Sequence, residues 1–278
     1  MRTIGVFDSG VGGLTVLRAL RARLPAFDFL YLGDTARLPY GTKSAETVRR
    51  YAVQAASALV SRRVDALVVA CNTASAVALD ALEARWPSLP ILGVIEPGAR
   101  AAVASSRGGA IAVIGTESTI RGGAYQREIA ALAPDAQVLT RACSVFVALA
   151  EEGWFDTPAA EAVARAYLDD WFPMAQDAGG EGDARARRPD TLVLGCTHFP
   201  VLRDLLARVV GADVTLVDSA VTTAEALALR LGSGPAVEGG ARGALRLLAT
   251  DGPERFAAVG SRFLASELDP AAVEIIDL

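Results

Sequence analysis

Two cysteines stand at matching points of the sequence, each after a short apolar run and before small polar residues. Cys71 follows the run 66–70, and Cys196 follows the run 191–195. A cysteine between a strand and a helix lies near the unpaired N–H groups of the helix start, which favour the thiolate over a thiol of pKa about 8.5. If the two stretches face each other, the thiols flank one cleft. They would then remove a proton from one face of a carbon and return one to the other.

Each cysteine taken singly is also explained as a small buried hydrophobe. The occurrence of two such cysteines in equivalent positions favours a catalytic role over a role in packing. Cys143 lacks a polar strand-exit context, so we expect it to serve packing. Cys196 and His198 are two candidate metal ligands, but no CxxC or HxxxH spacing supplies the others. The sequence therefore predicts no metal site.

Polar residues also follow other apolar runs. Asp8 and Ser9 open a glycine-rich turn that lacks the third glycine of a dinucleotide fingerprint, because Thr15 takes its place. The turn either holds an anion with its N–H groups or only connects a strand to a helix. A second loop, 33–41, contains the turn signal formed by Pro39, Tyr40 and Gly41.

Three further polar residues have ordinary explanations as well as functional ones. His198 is the only histidine of the chain. It would either cap the helix that begins near Pro200 or belong to a site. Glu151 and Glu152 fit an ordinary helix end.

Short apolar runs that alternate with helix-period segments must position these residues. This alternation is typical of a parallel sheet built from βαβ units, in which ligands bind at the carboxyl ends of the strands. The predicted strands are 4–7, 29–32, 66–70, 91–94, 111–114, 191–194, 214–217 and 245–249. The predicted helices include 14–24, 45–61, 74–85 and 200–210.

The two cysteine stretches, and a looser match between 4–10 and 111–116, indicate an internal repeat. We therefore predict an α/β fold of two related parallel-sheet domains that face each other across a central active-site cleft. The segment 178–189, rich in Gly, Asp and Arg, is predicted to be a solvated loop.

Composition excludes several classes of protein. Hydrophobic residues make up 52% of the 278 residues, which excludes a disordered chain, and no apolar stretch reaches the length of about 18 that spans a membrane. A net charge of −5 with scattered basic residues argues against nucleic acid as the main substrate. The chain enters a strand directly after Met1, without a secretory signal. Together with three cysteines, an odd number, this predicts a reducing, cytoplasmic location.

Five ordered motifs resemble the glutamate racemases of the cofactor-independent aspartate/glutamate racemase superfamily. They lie at 7–14, at 33–35 with 39–41, at 70–75, at 93–97 and at 195–200, and the resemblance runs from residue 4 to about 231. The sequence Cys-Thr-His-Phe-Pro at 196–200 indicates the glutamate branch. The resemblance implies interconversion of L- and D-glutamate, which supplies D-glutamate for peptidoglycan. It also implies that no cofactor takes part.

The resemblance also assigns roles to residues. Cys71 and Cys196 are the two bases, Cys71 for D-glutamate and Cys196 for L-glutamate, assisted by Asp8, Glu151 and His198. The residues implied to line the substrate site are Asp8, Ser9, Tyr40, Gly41, Asn72, Thr73, Thr197 and His198. Glu152 stays an alternative to Glu151, because Ser144 and Ala148 stand where the family often has prolines.

The resemblance further implies a homodimer and a chain that returns to its first domain at the end. This gives domains 1–97 plus 214–278, and 98–213. Two other functions stay open at this point: a racemase of another amino acid such as aspartate, and a two-lobed protein that binds a small molecule.

Overall fold

The computed structural model describes residues 2–173, 188–234 and 242–278. The predicted loop 178–189 lies outside the described residues except for its last two positions. The strands of the described chain are β1 (Thr3–Asp8), β2 (Asp28–Gly33), β3 (Ala66–Val69), β4 (Ile91–Gly93), β5 (Ala110–Gly115), β6 (Val138–Ala142), β7 (Pro189–Gly195), β8 (Thr215–Asp218), β9 (Leu245–Ala249) and β10 (Val273–Ile275).

Helices separate most of these strands. They are α1 (Leu14–Arg23), α2 (Ala45–Val60), α3 (Asn72–Arg85), α4 (Ile95–Ser105), α5 (Glu117–Gly122), α6 (Ala124–Leu132), α7 (Val145–Glu152), α8 (Pro158–Leu168), α9 (Arg203–Val210), α10 (Ser219–Arg230) and α11 (Pro253–Leu264). The predicted helix at 200–210 starts as a 3₁₀ turn, Phe199–Leu202, before α9 begins.

The strands form two parallel sheets, which confirms the predicted α/β fold class. The six-stranded sheet has the order β10-β9-β2-β1-β3-β4, and the four-stranded sheet has the order β6-β5-β7-β8. All eight predicted strands are present. The prediction missed β6, whose residues are only half-buried and include Thr140 and Arg141, and the three-residue edge strand β10. Neither has the continuous apolar run that marks a buried parallel strand.

The two sheets repeat one arrangement of strands. The order β2-β1-β3-β4 corresponds to β6-β5-β7-β8, so β3 matches β7. Phe7 pairs with Val69 in one sheet, as Ile114 pairs with Leu194 in the other. Cys71 lies two residues after Val69, and Cys196 lies two residues after Leu194. The internal repeat that the sequence indicated is therefore a repeat of topology, and it places both thiols at equivalent strand ends.

A shared apolar core joins the two sheets. One buried cluster contains Val6 and Val68 of the first sheet together with Val113 and Val193 of the second. The helix α4 packs against α6, α10 and β7, so it lies between the sheets. Within the described ranges, no helix has both the length and the apolar character needed to cross a bilayer.

The predicted division into domains stays a proposal, and the strand pairing favours a later second boundary. The strand β8 pairs with β7 in the four-stranded sheet, whereas the predicted boundary assigned residues from 214 onward to the first domain. The following helix α10 packs against α1. We propose that the chain returns to the first domain after Asp218 rather than at residue 214.

Candidate active site

A cavity of about 340 Å³ lies where the carboxyl ends of both sheets meet. Both Cys71 and Cys196 line it. The other predicted site residues that line it are Ser9, Tyr40, Gly41, Asn72, Thr73, Glu151, Thr197 and His198. Of the two glutamates at the end of α7, the structure brings Glu151 to the cavity, whereas Glu152 is exposed to solvent.

Asp8 is the predicted site residue that does not line the cavity. It ends β1 and is fully buried behind the wall. Its carboxylate accepts hydrogen bonds from the N–H of Gly10 at 3.0 Å and from Oγ1 of Thr197 at 3.5 Å. Burial raises the pKa of Asp8, although the charge of His198 opposes this shift. Asp8 therefore acts on the cavity through its charge and its hydrogen bonds.

The Cys71 thiol has a hydroxyl and a carboxylate as its polar neighbours. Its Sγ lies 3.6 Å from Oγ of Ser9. Burial, and then the charge of Asp8, raise the pKa of Cys71 to about 12. A hydrogen bond from the N–H of Ala74 at the start of α3 lowers it by less. The helix start therefore favours the thiolate of Cys71, as expected from the sequence, but desolvation outweighs it and the net pKa is raised.

The Cys196 thiol instead faces an imidazole. Its Sγ lies 3.8 Å from Nδ1 of His198, and Nε2 of His198 lies 3.2 Å from Oε1 of Glu151. Burial lowers the pKa of His198, but the hydrogen bonds to Cys196 and Glu151 outweigh it and raise the pKa to about 10. The hydrogen bond from His198 lowers the pKa of Glu151. Sulfur, imidazole and carboxylate thus form one connected chain.

Asn72 presents a buried donor at the cavity. Its Oδ1 accepts a hydrogen bond from the hydroxyl of Tyr125 at 2.8 Å. Its Nδ2 is buried, and no atom among the described residues accepts a hydrogen bond from it. A buried N–H without an acceptor costs about 1–3 kcal/mol. An acceptor oxygen of a ligand in the cavity would remove that cost.

Two glycines allow the halves to approach closely. A Cβ on Gly12 would lie 2.5 Å from Oγ1 of Thr197 and from the imidazole of His198. A Cβ on Gly41 would lie 2.8 Å from Cβ of Thr116. The glycine-rich turn therefore lets the first half pack against the residues that follow Cys196. This close approach accounts for Gly12 without a bound nucleotide.

Tyr40 lines the cavity with its hydroxyl already engaged. That hydroxyl donates to the fully buried carboxylate of Asp34, which also accepts from Nε of Arg37 at 2.7 Å. Burial and the charge of Asp34 raise the pKa of Tyr40. The Asp34 carboxylate thereby anchors the loop that supplies Tyr40 and Gly41.

Sequence reasoning missed several residues of the cavity wall. They are Leu38, Pro39, Thr42, Thr116 and Val147, and the wall also contains Ser144 and Ala148. Strand register makes Thr116, directly after β5, the counterpart of Ser9, directly after β1. The Oγ1 of Thr116 lies 3.0 Å from Oγ1 of Thr73 in the other half. The similarity of residues 4–10 to residues 111–116 is the sequence signal that could have identified Thr116 as a residue of the cavity wall.

Cys143 lies apart from the cavity wall. It is buried in an apolar cluster with Phe146, Leu192 and Phe199, and burial raises its pKa to about 12. The structure thus places it in packing, as expected. In the part of the chain that the structure describes, no three side chains of His, Cys, Asp or Glu are grouped so that they could hold a metal ion.

Comparisons with known proteins agree with this geometry. The family model for Asp/Glu/Hydantoin racemase matches residues 12–227. A glutamate racemase from Geobacter metallireducens is 49% identical over 271 residues, which cover 96% of this chain and 94% of the relative. The crystal structure of glutamate racemase from Thermus thermophilus in complex with β-chloro-D-alanine is 42% identical, with a TM-score of 0.82, and covers 100% and 97% of the two chains.

The crystal structure of glutamate racemase from Francisella tularensis in complex with D-glutamate is 33% identical. Its TM-score is 0.83, and the match covers 99% of this chain and 97% of that chain.

Proposed function

The chain belongs to the Asp/Glu/Hydantoin racemase family, and we propose that it is a glutamate racemase that interconverts L- and D-glutamate with two cysteine bases. The observation that carries this proposal is the placement of Cys71 and Cys196 at equivalent strand ends of two facing sheets, lining one cavity. Relatives that are similar over nearly their full length carry the name glutamate racemase, which supports the choice of substrate.

The reaction needs one base on each face of Cα. The thiolate on one side takes the α-proton, and the electron pair of the broken C–H bond moves onto Cα and its carboxylate. The thiol on the other side then gives its proton to the opposite face. The substrate is inverted without oxidation or reduction. The two cysteines have exchanged protonation states, and exchange with solvent protons restores them.

The cavity must stabilise the carbanion, because the α-proton of an amino acid is a weak acid. The free N–H of Asn72 and the hydroxyl of Ser9 are donors suited to the substrate carboxylate. Fixed donors in a site that excludes water stabilise developing charge more strongly than water does. The proposal includes no metal ion and no organic cofactor.

The wider roles of the protein belong to the same proposal. We propose that it supplies D-glutamate for peptidoglycan and acts in the cytoplasm, where its three free buried cysteines stay reduced. The homodimer rests on the resemblance alone. Light scattering on the protein as it elutes from a size-exclusion column tests the homodimer. A measured mass near 28.9 kDa, the mass of one chain, would overturn it.

Circular dichroism of the purified protein with each enantiomer of glutamate and of aspartate tests the reaction. We expect racemisation of glutamate from either enantiomer, at a rate that EDTA does not lower, and much slower turnover of aspartate. The variant that lacks both Cys71 and Cys196 controls for contaminating racemases. A preference for aspartate would show that the chain is a racemase of a different amino acid. Absence of turnover with both glutamate and aspartate would overturn the proposal.

A further inference from the structure

The helix α11 reaches across the cleft to Glu151. Nη2 of Arg255 donates to Oε2 of Glu151 at 3.0 Å, and Nη1 of Arg262 donates to its main-chain oxygen at 2.7 Å. The other carboxylate oxygen of Glu151 faces His198. Two arginines on one side of α11 therefore hold Glu151, one by its carboxylate and one by its main-chain oxygen. The same carboxylate contacts the imidazole of His198.

The position of α11 is set by its apolar face. Phe256 and Phe263 are buried, and the ring of Phe263 contacts the imidazole of His198 edge to face at 5.2 Å between centroids. Arg255 and Arg262 are seven residues apart, two helical turns, so they lie on one face. The buried face fixes the helix, and the arginines of the exposed face then lie at fixed points beside Glu151.

We propose that Arg255 is a positioning residue for proton transfer at Cys196: it holds the Glu151 carboxylate against His198, and Arg262 supports it by fixing the end of α7. The inference rests on the proposed function. Arg255 touches neither thiol and does not line the cavity, so it acts only through Glu151. The segment that supplies it follows the part of the chain that carries the family motifs.

The groups that face His198 limit how Arg255 can act. They are Glu151 from α7, Cys196 at the end of β7 and Asp8 from β1. Arg255 is a cation, so as a bare charge it would lower the pKa of the nearby imidazole. As a positioning residue it does the reverse, because it keeps the carboxylate in place. These two roles predict opposite changes at His198.

Kinetics of Arg255→Gln provide the first test. An exposed ion pair contributes up to about 1 kcal/mol, so we expect kcat/KM for glutamate to fall about 3- to 5-fold. Slower transfer at Cys196 raises the deuterium isotope effect on kcat/KM for α-deuterated L-glutamate and lowers it for α-deuterated D-glutamate. Arg255→Lys should restore most of the rate.

Matched variants separate positioning from general stability. In a Glu151→Gln background, Arg255→Gln should have no further effect, because the group it acts through has lost its charge. Arg100→Gln is the control, since it breaks an exposed 2.8 Å pair with Glu96 and neither residue lines the cavity. Additive losses in the double variant, or equal changes in both isotope effects, would overturn the proposal.

A titration that needs no turnover provides the second test. His198 is the only histidine, so a ¹⁵N NMR titration of the imidazole reports on it alone. We expect its pKa to fall in both Arg255→Gln and Glu151→Gln. A rise in Arg255→Gln would show that Arg255 only screens charge, and no change would show that it does nothing at the site; either result overturns the proposal. Absence of racemisation by the parent chain would instead overturn the proposed function.

Discussion

The two halves of the cleft share one strand order but differ in the polar groups beside their thiols. By register, Asp8 at the end of β1 corresponds to Gly115 at the end of β5, and Thr73 corresponds to His198. The carboxylate stands behind Cys71, and the imidazole stands beside Cys196. The repeated fold thus places two equivalent thiols, while single-residue differences give each thiol its own proton environment.

The positions of the two thiols and their electrostatics are set at different levels of the structure. Backbone topology alone puts each thiol at the carboxyl end of a strand, where parallel sheets bind ligands. Burial and the neighbouring charge then decide how readily the thiol ionises, and at Cys71 both act against ionisation. At Cys196 a protonated imidazole, backed by Glu151, stands beside the sulfur.

The largest effect should come from removal of either thiol. Cys71→Ala and Cys196→Ala should each lower glutamate racemisation by about 10³-fold or more, because neither base can act on the other face. Circular dichroism measures the rate. Cys143→Ala is the matched control, since it removes the third cysteine, and its kcat should stay within about twofold. A near-normal rate in either single active-site variant would show that one thiol can serve both faces of Cα.

The next largest effect should follow His198→Asn, which takes the imidazole from Cys196. Loss of a positioned acid or base lowers a rate by about 10²-fold or more. The equilibrium constant of an enantiomer pair is one, so kcat/KM must fall equally in both directions. We expect kcat from L-glutamate to fall more than kcat from D-glutamate, measured as initial rates from pH 6 to 10. Equal factors at every pH would reassign His198 to substrate binding.

A smaller effect concerns the ionisation of Cys71. Because its pKa is raised to about 12, its alkylation by iodoacetamide should rise about tenfold per pH unit from pH 7 to 10 without a plateau. The experiment uses a chain in which Cys143 and Cys196 are alanine. Asp8→Asn in that background should speed alkylation at pH 8, since it removes a negative charge. A plateau below pH 9 would contradict the environment assigned to Cys71.

The smallest effect is on stability. The folded-state pKa of His198, about 10, lies above its unfolded value of about 6.5. The protonated imidazole therefore stabilises the fold fully below about pH 6.5, and this contribution is lost as pH rises through 10. Urea unfolding of the parent and of His198→Asn should differ by about 1–3 kcal/mol at pH 6 and by less at pH 10. A difference that grows with pH would contradict the linkage.

The sequence carried enough information for eight of the ten strands of the described chain and for most of the cavity wall. Buried parallel strands have apolar runs, and the two strand-exit cysteines stood out because they were paired. It did not reveal β6, whose residues are only half-buried. It also did not reveal the contact of Glu151 with Arg255, because residues 104 positions apart share no spacing pattern. It did not reveal that the net pKa of Cys71 is raised, because the depth of burial is a property of the packed fold.

Incorporation of solvent deuterium tests most directly whether each face of Cα has its own cysteine. Racemisation of L-glutamate in D₂O is stopped at low conversion, and deuterium at Cα is measured in both enantiomers by mass spectrometry after chiral separation. We expect the D-glutamate formed to be deuterated almost completely, because the opposite thiol carries a solvent deuteron, while the remaining L-glutamate stays protonated. Deuterium that accumulates equally in substrate and product would show one base acting on both faces and would contradict a separate cysteine base for each face.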